Sequence, residues 1–429
     1  MSILSDLRSL TKRQRAAFFA SYLAWTLDAF DFFLMAFTYS EIAKDFGVTV
    51  PEVAFATMLT LIGRPLGALI FGALADRFGR RPILMLDIAL YAILELLTAF
   101  SPNITVFFIM RTLFGIAMGG EWGIGASLTM ESIPPRMRGL CSGILQQGYP
   151  VGFLLAGIAI QLLLPSIGWR GMMVVGALPA LLVFYIGFAV EESPVWKAGQ
   201  AKKNRPSLAS VLASHWQLLV YVVILMMCFN FFSHGSQDMY PQFLKQSRKM
   251  DLTHYTIITD IGNIGAIIGG ILFGVWSDKI GRRRAIVIAA LLALPFIPLW
   301  AFSTTPLWLA VGAFTMQFAV QGAWGVIPTH LNELSPNIVR GVFPGLAYQL
   351  GNLLASVNTP LQAHWAESRG GDYSVPMAIV IGVVAVAIAI LTAFGVEKHG
   401  VDFNNEGDVD FDTKDGAYFD IEPGPMSDA

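Results

Sequence analysis

The chain has 429 residues, of which 55% are hydrophobic and only 14% charged, with a mean hydropathy of +0.60. Water-soluble domains average about a quarter charged residues, so this composition excludes an ordinary soluble protein and points to the membrane. The formal net charge of −2, with basic residues scattered over short loops, excludes a nucleic-acid-binding surface.

The N-terminus is polar and basic as far as Arg15, and the apolar run behind it is too long for a signal-peptide core, so it reads as a retained first span. A bilayer core takes about 20 apolar residues per helix. Such runs occur at 16–40, 53–75, 83–100, 104–127, 140–163 and 171–190. A polar stretch, 191–215, separates them from six more at 217–241, 255–276, 285–302, 306–330, 341–363 and 375–396. Residues 1–190 are therefore predicted to form one six-helix bundle and 216–397 a second, with 191–215 as a cytoplasmic linker. The segment 398–429, with Glu406, Asp408, Asp410, Asp412 and Asp415 among glycines and prolines, reads as a disordered acidic cytoplasmic tail. Cys141 and Cys228 fall in apolar runs, which predicts buried free thiols.

Arginine and lysine concentrate in alternate loops, those holding Arg77, Arg80 and Arg81, Arg136 and Arg138, Lys279 and Arg282–Arg284, and Arg340. The bias of basic residues to the cytoplasmic side puts both termini there. The two halves also repeat one another. Gly72, Asp76, Arg77, Gly79, Arg80 and Arg81 return as Gly274, Asp278, Lys279, Gly281, Arg282 and Arg283, an offset of 202 that also carries Glu131 to Glu333, Arg138 to Arg340, Trp122 to Trp324 and Gln147 to Gln349. One constant offset implies parallel repeats about a central axis, with a cavity between them.

The doubled G-x-x-x-D-R-x-G-R-R loop resembles the signature of the major facilitator superfamily. Arg111, Gly115, Gly119 and Gly120 resemble its fourth-helix motif, and Glu192, Ser193 and Pro194 the motif after its sixth helix. The resemblance implies an all-α fold of twelve transmembrane helices in two pseudo-symmetric bundles. It also implies a gate of Gly72, Asp76, Arg77, Arg80, Asp278 and Lys279 that holds the outward-facing state, with Arg138 and Arg340 as partners.

Departures from the repeat mark candidate function. Arg64 lies midway along the second span opposite Ala266, and a charge there costs about 2.5–3.5 kcal/mol even on a lenient insertion scale. It either pairs with Asp28 or Asp31 or faces the cavity to take a substrate carboxylate. Asp28 and Asp31, spaced i, i+3, are candidate proton carriers or interhelical hydrogen-bonding groups. Arg111, Glu121, Glu95 and Asp87 are further intramembrane charges, the first three opposite Ala313, Ala323 and Ile297.

In the seventh span Asn230, Ser233, His234, Gln237 and Asp238 follow helical spacing and form one polar stripe. His234 and Asp238, i and i+4, are neighbours that can share a proton. The string N-x-x-S-H-x-S-Q-D resembles the signature of the fungal lactate and pyruvate:proton symporters, which group with the sialate:proton symporters. That pattern continues with a threonine where this chain has Gln242 behind Pro241. The Asp28-Ala29-Phe30-Asp31 string is similar to the same family and to aromatic acid:proton symporters. Gln349 and Asn352 share a face of the eleventh span and complete the candidate substrate set.

Glycines at small-xxx-small spacing, such as Gly63 and Gly67 or Gly265 and Gly269, read as close helix contacts and not as a nucleotide loop. There is no H-E-x-x-H or G-x-S-x-G string, which argues against a membrane hydrolase. The expectation is a monomeric, multi-pass transporter of a cell membrane, of the bacterial inner-membrane kind. It takes a small organic anion with a proton, draws on the proton gradient, and uses no cofactor and no metal. Aromatic acid and sialate symport, and a nutrient sensor that binds without transporting, are the alternatives.

Overall fold

The computed structural model describes residues 7–200, 207–401 and Phe403. Ten helices are long and apolar enough to cross a membrane. One of them, Pro135–Ala189, has 55 residues, about 80 Å if straight and more than twice a hydrocarbon core of about 30 Å. It turns back at Gly168, whose φ of 63° with ψ of 179° is open to a residue without a Cβ, and so supplies two spans. The stretch 343–367 is helical on either side of a break at Ser356 and Val357, so neither piece reaches spanning length alone. The described residues thus form twelve spans.

In chain order these are α1 (Lys12–Phe37), α2 (Val50–Phe78), α3 (Arg80–Ala99), α4 (Ile104–Ser132), α5 (138–167), α6 (169–189), α7 (Trp216–Gln237), α8 (Leu252–Ile280), α9 (Arg282–Phe302), α10 (Pro306–Leu334), α11 (343–367) and α12 (Ser374–Ala393). Their ends follow from local chemistry. Thr11 with Gln14 and Thr49 with Glu52 form capping boxes that satisfy the first free N–H groups of α1 and α2. Gly79 and Gly281, at φ 112° and 92°, turn the chain sharply from α2 into α3 and from α8 into α9. The described parts of 191–215 form two short helices, Pro194–Gly199 and Leu208–Ser214.

Large apolar side chains such as Phe188, Leu162, Leu181 and Phe394 stand fully outward, which is stable only where hydrocarbon replaces water. Cys141 and Cys228 are buried and unpaired. The two bundles meet chiefly along α2 with α11 and α5 with α8. Gly139 and Gly274 let α5 and α8 touch backbone to backbone, and a Cβ at Gly72 would lie 2.6 Å from Val342 Cα. Among the described residues, the hydrogen bonds that join the bundles lie at the centre or toward the face bearing the doubled motif, here termed the motif face. At the opposite face the bundles part, and His234 and Asp238 keep 33% and 35% of their side-chain surface exposed.

The expected unstructured tail is corrected at its beginning. Val401 and Phe403 are packed against the bundle, because an aromatic ring finds both apolar and cationic partners there. The remainder of that segment lies outside the described residues.

Candidate functional site

The motif face is closed by two matching latches. Asp76 accepts the N–H groups of Gly341 at 2.8 Å and Val342 at 3.1 Å, and Asp278 accepts those of Gly139 at 2.9 Å and Leu140 at 3.0 Å. Each carboxylate therefore sits on the free amides leading into a helix of the other bundle, α11 or α5, where the helix dipole favours an anion. Arg80 pairs with Asp76 and Glu131, and Arg282 with Asp278 and Glu333, all between 2.8 and 3.1 Å. Ser193 donates to Glu131.

A second symmetric pair crosses the halves. Ser127 donates to the Arg340 carbonyl at 2.7 Å, and Thr329 to the Arg138 carbonyl at 2.8 Å. The side chains of Arg138 and Arg340 reach Glu333 and Glu131 at 3.8 and 4.0 Å.

Two expected gate residues are not in these latches. Arg77 is exposed and lies over its neighbour Phe78, and Lys279 is exposed with no ion pair among the described residues. The first basic residue of each motif falls on the outer side of its helix. The next arginine past the glycine is carried inward, so Arg282, absent from the expected gate, matches Arg80.

At the centre Arg64 and Asp28 form a buried ion pair, Nη2 to Oδ1 at 3.0 Å. The same nitrogen lies 2.8 Å from Met118 Sδ, the guanidinium lies 5.7 Å from the Phe32 ring centroid, and Arg64 Nε has no hydrogen-bond partner.

Asp31 does not join this pair. An i, i+3 spacing leaves about 60° between side chains, enough to send Asp31 inward to Glu95, which is paired with Arg111. A Cβ on Gly176 would meet Asp31 Oδ1 at 3.0 Å and Glu95 Oε1 at 3.1 Å. The carboxylate oxygens of Asp31, Asp87 and Glu121 are buried without hydrogen-bond partners.

The stripe on α7 divides along its length. Asn230 is 1% exposed and donates to the Met226 carbonyl of its own helix at 2.8 Å, so it does not reach the cavity. Ser233, His234, Gln237 and Asp238 do border the open side. His234 Nδ1 lies 3.2 Å from Asp238 Oδ2, the oxygen that also accepts from Thr359 of α11 at 2.9 Å. Asn352 of α11 is buried, 8% exposed. Gln349 is buried with its amide oxygen unpartnered.

Two residues were not anticipated from the sequence. Gln317 of α10 bonds Gln237 at 2.9 Å and Ser236 at 3.1 Å, and Gln321 bonds Ser233 at 3.4 Å. Their repeat counterparts are Gly115 and Gly119. That polar-for-glycine exchange is the signal by which the sequence marks them.

At the centre, aromatic rings from both bundles pack together. Tyr348 stands 4.7 Å from Trp122, 5.8 Å from Trp324 and 6.3 Å from Trp25, and Tyr149 packs on Trp25 and Phe33.

The profile of the Major Facilitator Superfamily matches residues 16–357 and 239–411. The chain belongs to that superfamily. It is 28% identical to a carboxylic acid transporter protein homolog of Saccharomyces cerevisiae, over 94% of this chain and 71% of that one. It is 27% identical to the sialic acid transporter NanX of Escherichia coli, over 90% and 95%. The structure of the proton:xylose symporter XylE bound to 6-bromo-6-deoxy-D-glucose superposes with a TM-score of 0.75 at 20% identity, over 91% of this chain and 98% of that one. These relatives, and the fold, are those of membrane transporters and not of enzymes.

Proposed function

We propose that this superfamily transporter carries a small monocarboxylate of the lactate or pyruvate type into the cell together with a proton. The observation that carries the reading is the buried Arg64–Asp28 pair at 3.0 Å. As found, the pair is neutral. A proton on Asp28 with a carboxylate on Arg64 is neutral as well, whereas either one alone leaves an uncompensated charge in a medium where that is costly. Coupling follows from this exclusion of the two charged intermediates, and one proton accompanies each anion without a cofactor.

On this reading Arg64 receives the carboxylate bidentately once Asp28 is protonated. His234, Asp238, Ser233, Gln237, Gln349 and Asn352 order the remaining oxygens. His234 and Asp238, each about a third exposed, hand the proton inward. Opening of the Asp76 and Asp278 latches then lets the bundles rock about the site. The exposed Arg77, Arg136, Lys279 and Arg284 support a cytoplasmic motif face in a cell membrane. The carboxylic acid and sialic acid relatives support a carboxylate as the recognised group.

A second reading, an aromatic acid, is favoured by the Phe32 ring, 5.7 Å from the Arg64 guanidinium, with Phe33 packed on Phe32 and Tyr149 on Phe33. Uptake of labelled lactate, pyruvate, acetate, benzoate and sialate into proteoliposomes, with and without an inward proton gradient, separates the readings. Gradient-driven lactate or pyruvate uptake is expected. Benzoate or sialate uptake alone would replace the substrate, and uptake indifferent to the gradient would remove the coupling.

A further inference from the structure

The segment after α12 returns to the bundle at a telling position. Phe403 is 3% exposed, and its ring lies between two guanidinium groups, 3.5 Å from Arg138 and 3.7 Å from Arg340. Its apolar edge packs with Ala126, Met130 and Leu145. Just before it, the Val401 carbonyl accepts from Arg138 Nη1 at 2.6 Å, and the Gly400 N–H points to Glu333 at 3.4 Å. Arg138 and the apolar contacts belong to the N-terminal bundle, while Arg340 and Glu333 belong to the C-terminal one.

From this geometry we infer that the crevice between the bundles at the motif face is a docking site for the chain's own C-terminal segment, with Phe403 as its key. The ring gains from the electron-rich character of its faces, which lets it sit between two cations that would otherwise repel. Because those cations lie on opposite bundles, the ring can follow only one of them when the face opens. Occupancy therefore holds the motif face shut, and departure of the segment is a condition of the inward-facing state. The device is independent of which substrate the cavity takes.

Cys141 reports on this face. It is fully buried on α5 in a cluster that Ile271 and Val275 of α8 pack against, so a maleimide reaches it only when the bundles part. In detergent-solubilised protein carrying Cys228→Ser, the rate of Cys141 alkylation is compared among the parent, Phe403→Ala, Phe403→Trp and a chain ended after Lys398. Loss of one cation–π contact predicts alkylation about two- to fivefold faster in Phe403→Ala and in the shortened chain. Phe403→Trp, which keeps a ring, should stay at the parent rate. A synthetic peptide of residues 398–410 added to the shortened chain should slow it again. Equal rates in parent and shortened chain overturn the proposal, as does a shortened chain that reacts fast and ignores the peptide. Should Phe403→Ala fail to fold, the shortened chain and the peptide decide alone.

Discussion

The two bundles share a skeleton and differ in the currency of their interiors. Within the N-terminal bundle Asp28, Asp31, Arg64, Asp87, Glu95, Arg111 and Glu121 are all buried ionisable groups. At the repeat positions the C-terminal bundle has Asn230, Ser233, Ala266, Ala289, Ile297, Ala313 and Ala323. Its own polar groups are mostly neutral amides and hydroxyls, Gln317, Gln321, Gln349, Asn352 and Gln362, with His234 and Asp238 at the mouth. The motif face shows no such divergence, since both halves repeat an Asp on helix-leading amides and an Arg–Glu pair. Symmetry is kept where the bundles must grip each other equally. It is broken at the centre, where on the proposed mechanism one half moves charge and the other recognises shape and hydrogen-bonding groups.

The comparison breaks most readily at Arg64. Arg64→Ala strands Asp28 beside an empty site, and loss of one partner from a buried charge pair costs about 2–5 kcal/mol, so uptake should fall at least about thirtyfold. The double variant Arg64→Ala with Asp28→Asn should recover thermal stability but not uptake, as read by melting and by transport. Recovery of uptake would move recognition out of the charged half.

Asp28→Asn is next. A neutral partner leaves Arg64 available without a proton, so substrate exchange between equal pools should persist while gradient-driven accumulation collapses about tenfold or more. Accumulation that survives with an unchanged pH profile would shift the proton to His234 or Asp238, on the other half. Asp76→Asn and Asp278→Asn test the symmetric face. Each weakens two hydrogen bonds to a charged acceptor, worth about 1.5–3 kcal/mol apiece, so both should speed maleimide labelling of Cys141 by similar factors. A clear inequality would show that the latches are not equivalent. The smallest effect is expected at Gln317→Ala, which removes neutral hydrogen bonds of about 0.5–1.5 kcal/mol and should raise KM about two- to tenfold with the proton dependence intact.

The helical membrane fold and the doubled motif were legible from the sequence alone. Apolar run length is dictated by bilayer thickness, and the repeat offset of 202 is a one-dimensional property. The same offset exposed Arg64 and its acids as departures from symmetry. What helical spacing could not supply was direction at finer than a face. Asp28 and Asp31 differ by one side-chain bearing, yet one meets Arg64 and the other meets Glu95. Asn230 belongs to the stripe by period but turns back to its own helix. Arg77 and Arg80 stand three residues apart in one motif, and packing buries only the second. The docking of Phe403 also had no sequence signature, because its partners, Arg138 and Arg340, come together only when the two bundles close. Chain chemistry determined which groups had to be satisfied in hydrocarbon; the partner each group found was decided by the tertiary fold, since contacts between distant helices depend on their mutual rotation.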